Sequence, residues 1–264
     1  MANKKAQVNV EESDIDDIKY LGKQEGKNRP ILVSFSRTIT KKKIFNNLGN
    51  LNDILKYTNS SSIVCVYETW STTLPNIYFS KTQEIIYSQA TRVAERGRAR
   101  GGIMIVLDRN VYRMENLIIN ENFVIVRIIS CNLIFILCVV YISPSICVNT
   151  ILDCLCESFI LISNKFPNDP FFIGGDFNCR IGNLNQIYEN FIINNNNLYC
   201  YRKSCDLEVG KRGRQLIVYM ENSGYMVING RSVSDFPANY TYVGTVEKSV
   251  IDLVWCDLKA TQLI

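Results

Sequence analysis

Between residues 123 and 142 nearly every side chain is apolar, yet Arg127 and a central Ser130-Cys131-Asn132 interrupt the run. A membrane helix pays heavily for such polar groups at mid-depth. Two buried strands joined by a tight turn, over 123–129 and 133–141, satisfy the same pattern. Strands this continuously apolar need cover on both faces, which calls for a layered α/β arrangement. With 264 residues, 47% of them hydrophobic, the chain is long enough for one large domain with a sizeable core.

The rest of the chain supports that reading. Further strands are expected at 31–35, 63–67, 103–107, 171–173, 225–228, 240–243 and 250–255. Ile44, Leu48, Leu51 and Leu55 make one helical face. Leu152, Leu155, Phe159, Ile162 and Phe166 make a second, with Asn149 as the expected N-cap and Pro167 beyond its end. Leu216, Ile217 and Met220 mark a third helix, closed by Gly224. Residues 194–197 read as a loop. Residues 1–29, with Lys4, Lys5, Glu11, Glu12, Asp14, Asp16 and Asp17 and few large apolar groups, read as a solvated tail. They show no basic start followed by an apolar run, so no signal peptide is read there. Residues 30–264 show no repeat or linker and are taken as one domain.

Ten cysteines are scattered without a CxxC pair, and there is no histidine. That argues against a zinc site and for reduced thiols in an intracellular core, nuclear or cytoplasmic. The net charge of +4 is mild. Its distribution is more informative: Arg92, Arg96, Arg98 and Arg100 cluster just before Gly101-Gly102, with Glu95 alone opposing them. A basic loop of this kind can neutralise phosphates, or be ordinary solvated surface.

Chemistry is carried by carboxylates at strand ends. The run 63–67 delivers Glu68, and the run 171–175 delivers Asp176. Side chains converge at such ends without filling the core. Asp252 lies inside Val250-Ile251-Asp252-Leu253-Val254, where an unpartnered carboxylate would cost at least several kcal/mol. It therefore needs a partner.

Several segments, in order, resemble the endonuclease domain of non-long-terminal-repeat (LINE-type) retrotransposons, within the endonuclease/exonuclease/phosphatase superfamily. Gly175-Asp176-Phe177-Asn178-Cys179-Arg180-Ile181-Gly182 is similar to that family's Gly-Asp-Phe-Asn-x-Arg-x-Gly. Tyr67-Glu68-Thr69-Trp70 resembles Gln-Glu-Thr-Trp, and Tyr141-Ile142-Ser143-Pro144 resembles Tyr-x-x-Pro. Gly213-Arg214-Gln215-Leu216, Ile228-Asn229-Gly230-Arg231, Tyr240-Thr241-Tyr242 and Ser249-Val250-Ile251-Asp252 follow in the family's order.

The resemblance implies a four-layer α/β sandwich, two mixed β-sheets face to face with helices outside. It implies a metal-dependent DNA endonuclease using Mg2+ or Mn2+, with Glu68 as metal ligand and Asp176 orienting or activating the attacking water. Asn178 would hydrogen-bond the scissile phosphate, with Tyr141 beside it. Thr241 and Arg180 would support the phosphate site and Asp252 would hold the polar network; it is the charge pattern of the basic loop, not the resemblance, that points Arg96, Arg98 and Arg100 toward DNA. A reverse transcriptase region in a longer polyprotein is the further partner implied.

Two departures stand against full activity. Ser36 occupies the place of a metal-supporting asparagine, and the family's closing Ser-Asp-His is not found in this sequence, which has no histidine at all. The sequence thus reads as a C-terminally truncated, weak or inactive nuclease. The alternatives are a non-catalytic nucleic-acid-binding remnant, or the same fold turned to a phospholipid or inositol phosphate.

Overall fold

The computed structural model describes residues 17–20, 31–34, 63–73, 81–92, 99–188, 195–244 and 246–264. Its main sheet has six strands in the order β10-β13-β9-β8-β7-β6. In chain order these are β6 (Arg113–Ile119), β7 (Phe123–Ile129), β8 (Ile134–Tyr141), β9 (Phe171–Asp176), β10 (Tyr225–Val227) and β13 (Asp252–Asp257). β8 and β9 run parallel and the other neighbours antiparallel, so the sheet is mixed. A second sheet, β3 (Val64–Tyr67), β5 (Ile103–Asp108) and β4 (Gln83–Ser88), is antiparallel in the order β3-β5-β4. Two short ribbons complete the strands among the described residues: β1 (Asp17–Tyr20) with β2 (Ile31–Ser34), and β11 (Tyr242–Val243) with β12 (Lys248–Ser249).

The alternation along each apolar run explains the layering. In β8, Ile136, Cys138 and Val140 face the two α-helices of the described residues, α1 (Val148–Lys165) and α2 (Lys211–Asn222). Phe135, Leu137, Val139 and Tyr141 face the second sheet. Successive strand side chains point to opposite faces, so one unbroken apolar run supplies two cores at once. On the inter-sheet side Phe135 and Phe172 meet edge to face, 5.6 Å between centroids. On the helix side Phe159, Phe171 and Tyr225 cluster. The fold is an α/β sandwich with sheet packed on sheet and helices outside. The helix expected over 44–55 lies outside the described residues.

The 123–129 and 133–141 runs pair as the expected hairpin, in register from Phe123↔Val140 to Ile129↔Ile134. Among the described residues no helix is long and apolar enough to cross a membrane. Three readings change. Within the segment read as a solvated tail, Asp17–Tyr20 is a strand paired with Ile31–Ser34; its polar–apolar alternation suits a strand better than the charge count suggested. The N-cap of α1 is Cys147, not Asn149, because the helix begins two residues earlier. All ten cysteines are free, but four are buried (Cys65, Cys138, Cys179 and Cys256), so the thiols are only partly a core feature.

Candidate active site

Register places the site. Tyr141 pairs with Asp176 across β8–β9, and Asp176 pairs with Asp252 across β9–β13. Three expected site residues therefore stand level at one end of the main sheet. Paired residues in neighbouring strands share a face, so all three point toward the second sheet. From that sheet β3 delivers Tyr67 and Glu68 to the same end. The cleft there, about 610 Å³, is lined by Glu68, Tyr141, Asp176, Asn178, Thr241 and Asp252, with Trp70, Arg100 and Arg180 at its sides.

Local backbone conformation aims these side chains. Glu68 (φ 57°), Trp70 (φ 53°) and Asn178 (φ 48°) are non-glycine residues in left-handed conformation, and all three line the cleft. Such conformations cost on the order of 1–3 kcal/mol each and cluster where function requires them. Their neighbours hold them. The Thr69 and Trp70 amides donate to the Gly102 and Gly101 carbonyls at 3.1 and 2.9 Å. The Asn178 amide donates to Asp176 Oδ1 at 2.9 Å, and its side-chain nitrogen to the Ile142 carbonyl at 3.1 Å. Gly175 is obligatory just before Asp176. Its φ is 145°, and a Cβ there would lie 1.9 Å from the Val140 carbonyl oxygen.

Asp252 is buried and its Oδ1 accepts from the Tyr67 hydroxyl. Its amide and that of Ile251 both donate to Thr241 Oγ1 at 3.0 Å, so Thr241 fixes the backbone entering β13. Asn229, almost wholly buried, brackets the same strand, accepting from the Val254 amide and donating to the Asp252 carbonyl. The Tyr141 hydroxyl donates to Glu68 Oε1 at 2.9 Å. Burial first, then the negative Glu68, push the Tyr141 phenol well above its ordinary range, so it stays a proton donor at neutral pH.

Arg180 lines the cleft with its guanidinium already engaged. It forks onto Asp206 (2.9 and 2.7 Å) and reaches Glu208 at 2.7 Å and Glu247 at 3.6 Å. Asp206 Oδ2 also accepts from the Val250 amide at 3.0 Å. Arg180 thus ties the segment before Asp252 to the loop at 206–208. Arg100 forms a bridge with Thr91 and donates to Ser145 Oγ at 3.0 Å on the rim. Arg96, Arg98 and Ser36 lie outside the described residues.

Sequence reasoning missed two contributors. Tyr67 was read as part of an apolar strand, although it reaches the Asp252 carboxylate. Asp206 carries no local motif, and its role follows only from the fold bringing it to Arg180.

Among the described residues no group of three His, Cys, Asp or Glu side chains forms a metal cage. Mg2+ does not require one: it commonly binds through one or two carboxylates, keeping waters and taking substrate phosphate oxygens. Glu68 and Asp176, hard oxygen donors on one cleft, fit that pattern.

No protein-family model matches the chain, and no curated protein matches it in sequence. Among solved structures it is similar to the endonuclease domain of TRAS1, a telomere-specific non-LTR retrotransposon, at 16% identity, covering 87% of this chain and 84% of that one with a TM-score of 0.49. It is similar to the human Nocturnin catalytic domain with bound sulfate (12% identity, 91% and 85% covered, TM-score 0.47). It is also similar to the 3'-5' exonuclease NExo of Neisseria meningitidis (11% identity, 81% and 83% covered, TM-score 0.44). At these identities the likeness is one of architecture alone.

Proposed function

We propose that the chain is a metal-dependent phosphodiesterase domain of the DNA endonuclease type. One observation carries this reading: Tyr141, Asp176 and Asp252 stand level at one sheet end and share a cleft with Glu68, Asn178 and Thr241. Glu68, with Asp176, would hold a Mg2+ or Mn2+ ion, which when bound supplies charge stabilisation to a phosphate oxygen.

The chain's own groups divide the remaining work. Asp176 orients a water and accepts its proton. The Asn178 side-chain amide, with one hydrogen on the Ile142 carbonyl, donates its other to a phosphate oxygen, and the Tyr141 phenol beside it gives its one proton to Glu68, holding that carboxylate in place. Neutral donors preorganised where negative charge grows need no rearrangement during reaction. Thr241 and Asp252 keep the floor of the cleft in place.

The leaving oxygen is the weak point. These 264 residues contain no histidine, so no imidazole of theirs can protonate it. A general acid typically contributes about 10²–10⁴-fold. The chain as given is therefore expected to nick supercoiled DNA slowly in Mg2+, at a small fraction of the rate reached once a Ser-Asp-His segment is appended. Glu68→Ala should abolish both activities. Fast nicking by the unmodified chain, lost in Glu68→Ala, would show that imidazole is dispensable. Nicking that survives Glu68→Ala would remove the metal assignment.

A further inference from the structure

The cleft is spanned by two hydrogen bonds that cross between the sheets in opposite directions. Tyr67, on the second sheet, donates to Asp252 on the main sheet. Tyr141, on the main sheet, donates to Glu68 at the end of β3 on the second. Each sheet contributes one phenol and one carboxylate, and each phenol serves the carboxylate of the opposite sheet. On the main sheet the two anchors, Tyr141 and Asp252, flank Asp176 on either side.

The arrangement depends on the left-handed turn at Glu68. In an unbroken strand, consecutive side chains point to opposite faces. Tyr67 and Glu68 are consecutive, yet both bond to the main sheet, because the strand's alternation ends at Glu68. Tyr67 is buried and does not line the cleft, so it does not touch a substrate there. It is a ring in the inter-sheet core whose hydroxyl is spent on a cleft carboxylate.

We propose that Tyr67 is a positioning residue: with Tyr141 it forms a two-bridge lock that sets the separation of the sheets at the cleft and thereby holds Glu68, Asp176 and Asp252 at one fixed spacing. The metal part of this inference rests on the function proposed above. The lock itself is a property of the fold. Because two bridges hold one gap, losing either lets the mouth relax, and losing the second adds little.

The test uses the full chain and Mn2+ as probe, with affinity measured by calorimetry and folding by thermal unfolding. Tyr67→Phe and Tyr141→Phe keep the buried rings and remove only the hydroxyls. Each should weaken Mn2+ binding about tenfold, the scale seen when groups supporting a metal ligand are lost. The double variant should lose little more than either single one. Tyr112→Phe, a buried phenol in the same inter-sheet core, should leave Mn2+ affinity unchanged. Unchanged affinity in Tyr67→Phe, or fully additive losses in the double variant, would overturn the lock.

A wild-type chain that binds no Mn2+ would refute the metal reading instead. The bridge is then judged by unfolding Tyr67→Phe, Asp252→Asn and their double variant. Non-additive destabilisation supports the Tyr67–Asp252 bridge, and additivity overturns it.

Discussion

Replacing Asp206 by asparagine should destabilise the fold by an amount that depends on pH in a defined direction. The Asp206 side chain is 2% exposed and accepts four hydrogen bonds: two from Arg180, one from the Val250 amide and one from the Glu208 amide. Asparagine keeps the shape but leaves one carbonyl oxygen facing these donors. Removing one partner of a buried ion pair costs about 3–5 kcal/mol. Arg180 is itself 23% exposed and retains Glu208 and Glu247, whose side chains are largely solvated, so the lower end applies. A loss of about 3 kcal/mol corresponds to a melting temperature roughly 6–12 °C lower in a chain of this size. Burial acts to raise the Asp206 pKa, but Arg180 and the two amides together hold its carboxyl below the usual range. Its contribution is therefore complete above the unfolded carboxylate value near ~3.9 and is lost as pH falls through the lower folded value. Thermal unfolding of both proteins from pH 7 down to pH 3 checks this. The gap should be full at neutral pH and narrow below about pH 4. A gap that stays constant across that range would refute the charge-based account, and a drop under about 2 °C at pH 7 would refute the burial-based one.

Gly175→Ala should yield little folded protein, since the new methyl would lie 1.9 Å from the Val140 carbonyl oxygen, a backbone atom within the β8–β9 ladder. Soluble yield and far-ultraviolet circular dichroism decide it, and a native-like variant would mean that β9 can shift where the register says it cannot. Arg100→Ala should weaken DNA binding and reduce the slope of log affinity against log salt by up to about 0.9, one phosphate's worth. An unchanged slope would leave Arg100 as a rim residue serving Ser145 alone.

What the sequence revealed and what it hid follow one physical line. The strands that were legible, β5, β7, β8 and β9, are covered on both faces and so spell continuous apolar runs. Besides β1 and the short β12, the strands that were missed, β4 and β6, lie at sheet edges. β4 reads Gln83-Glu84-Ile85-Ile86-Tyr87-Ser88 and is mostly half-buried. β6 carries Arg113 and Glu115, alternates irregularly between buried and exposed, and shifts register between Asn116 and Ile118. Charge and irregularity are what keep an edge from pairing with another chain, and they also erase the strand pattern.

The same distinction applies within the cleft. Glu68, Asp176 and Asp252 were legible because a carboxylate inside or ending an apolar run demands an explanation. Tyr67 demanded none, because a tyrosine in an apolar run already suits the core, and nothing local shows where its hydroxyl goes. Nor does a strand end reveal its level. That Tyr141, Asp176 and Asp252 form one row depends on the pairing of three strands brought together from distant parts of the chain. A one-residue slip at β13 would turn Asp252 toward the helix-side core and bring Ile251 or Leu253 level with Asp176. The apolar runs themselves oppose that slip. Leu253 and Trp255 fill the helix-side core, while Val254 and Cys256 fill the inter-sheet one. The packing that holds those four side chains on their faces is thus also what presents Asp252 to the cleft.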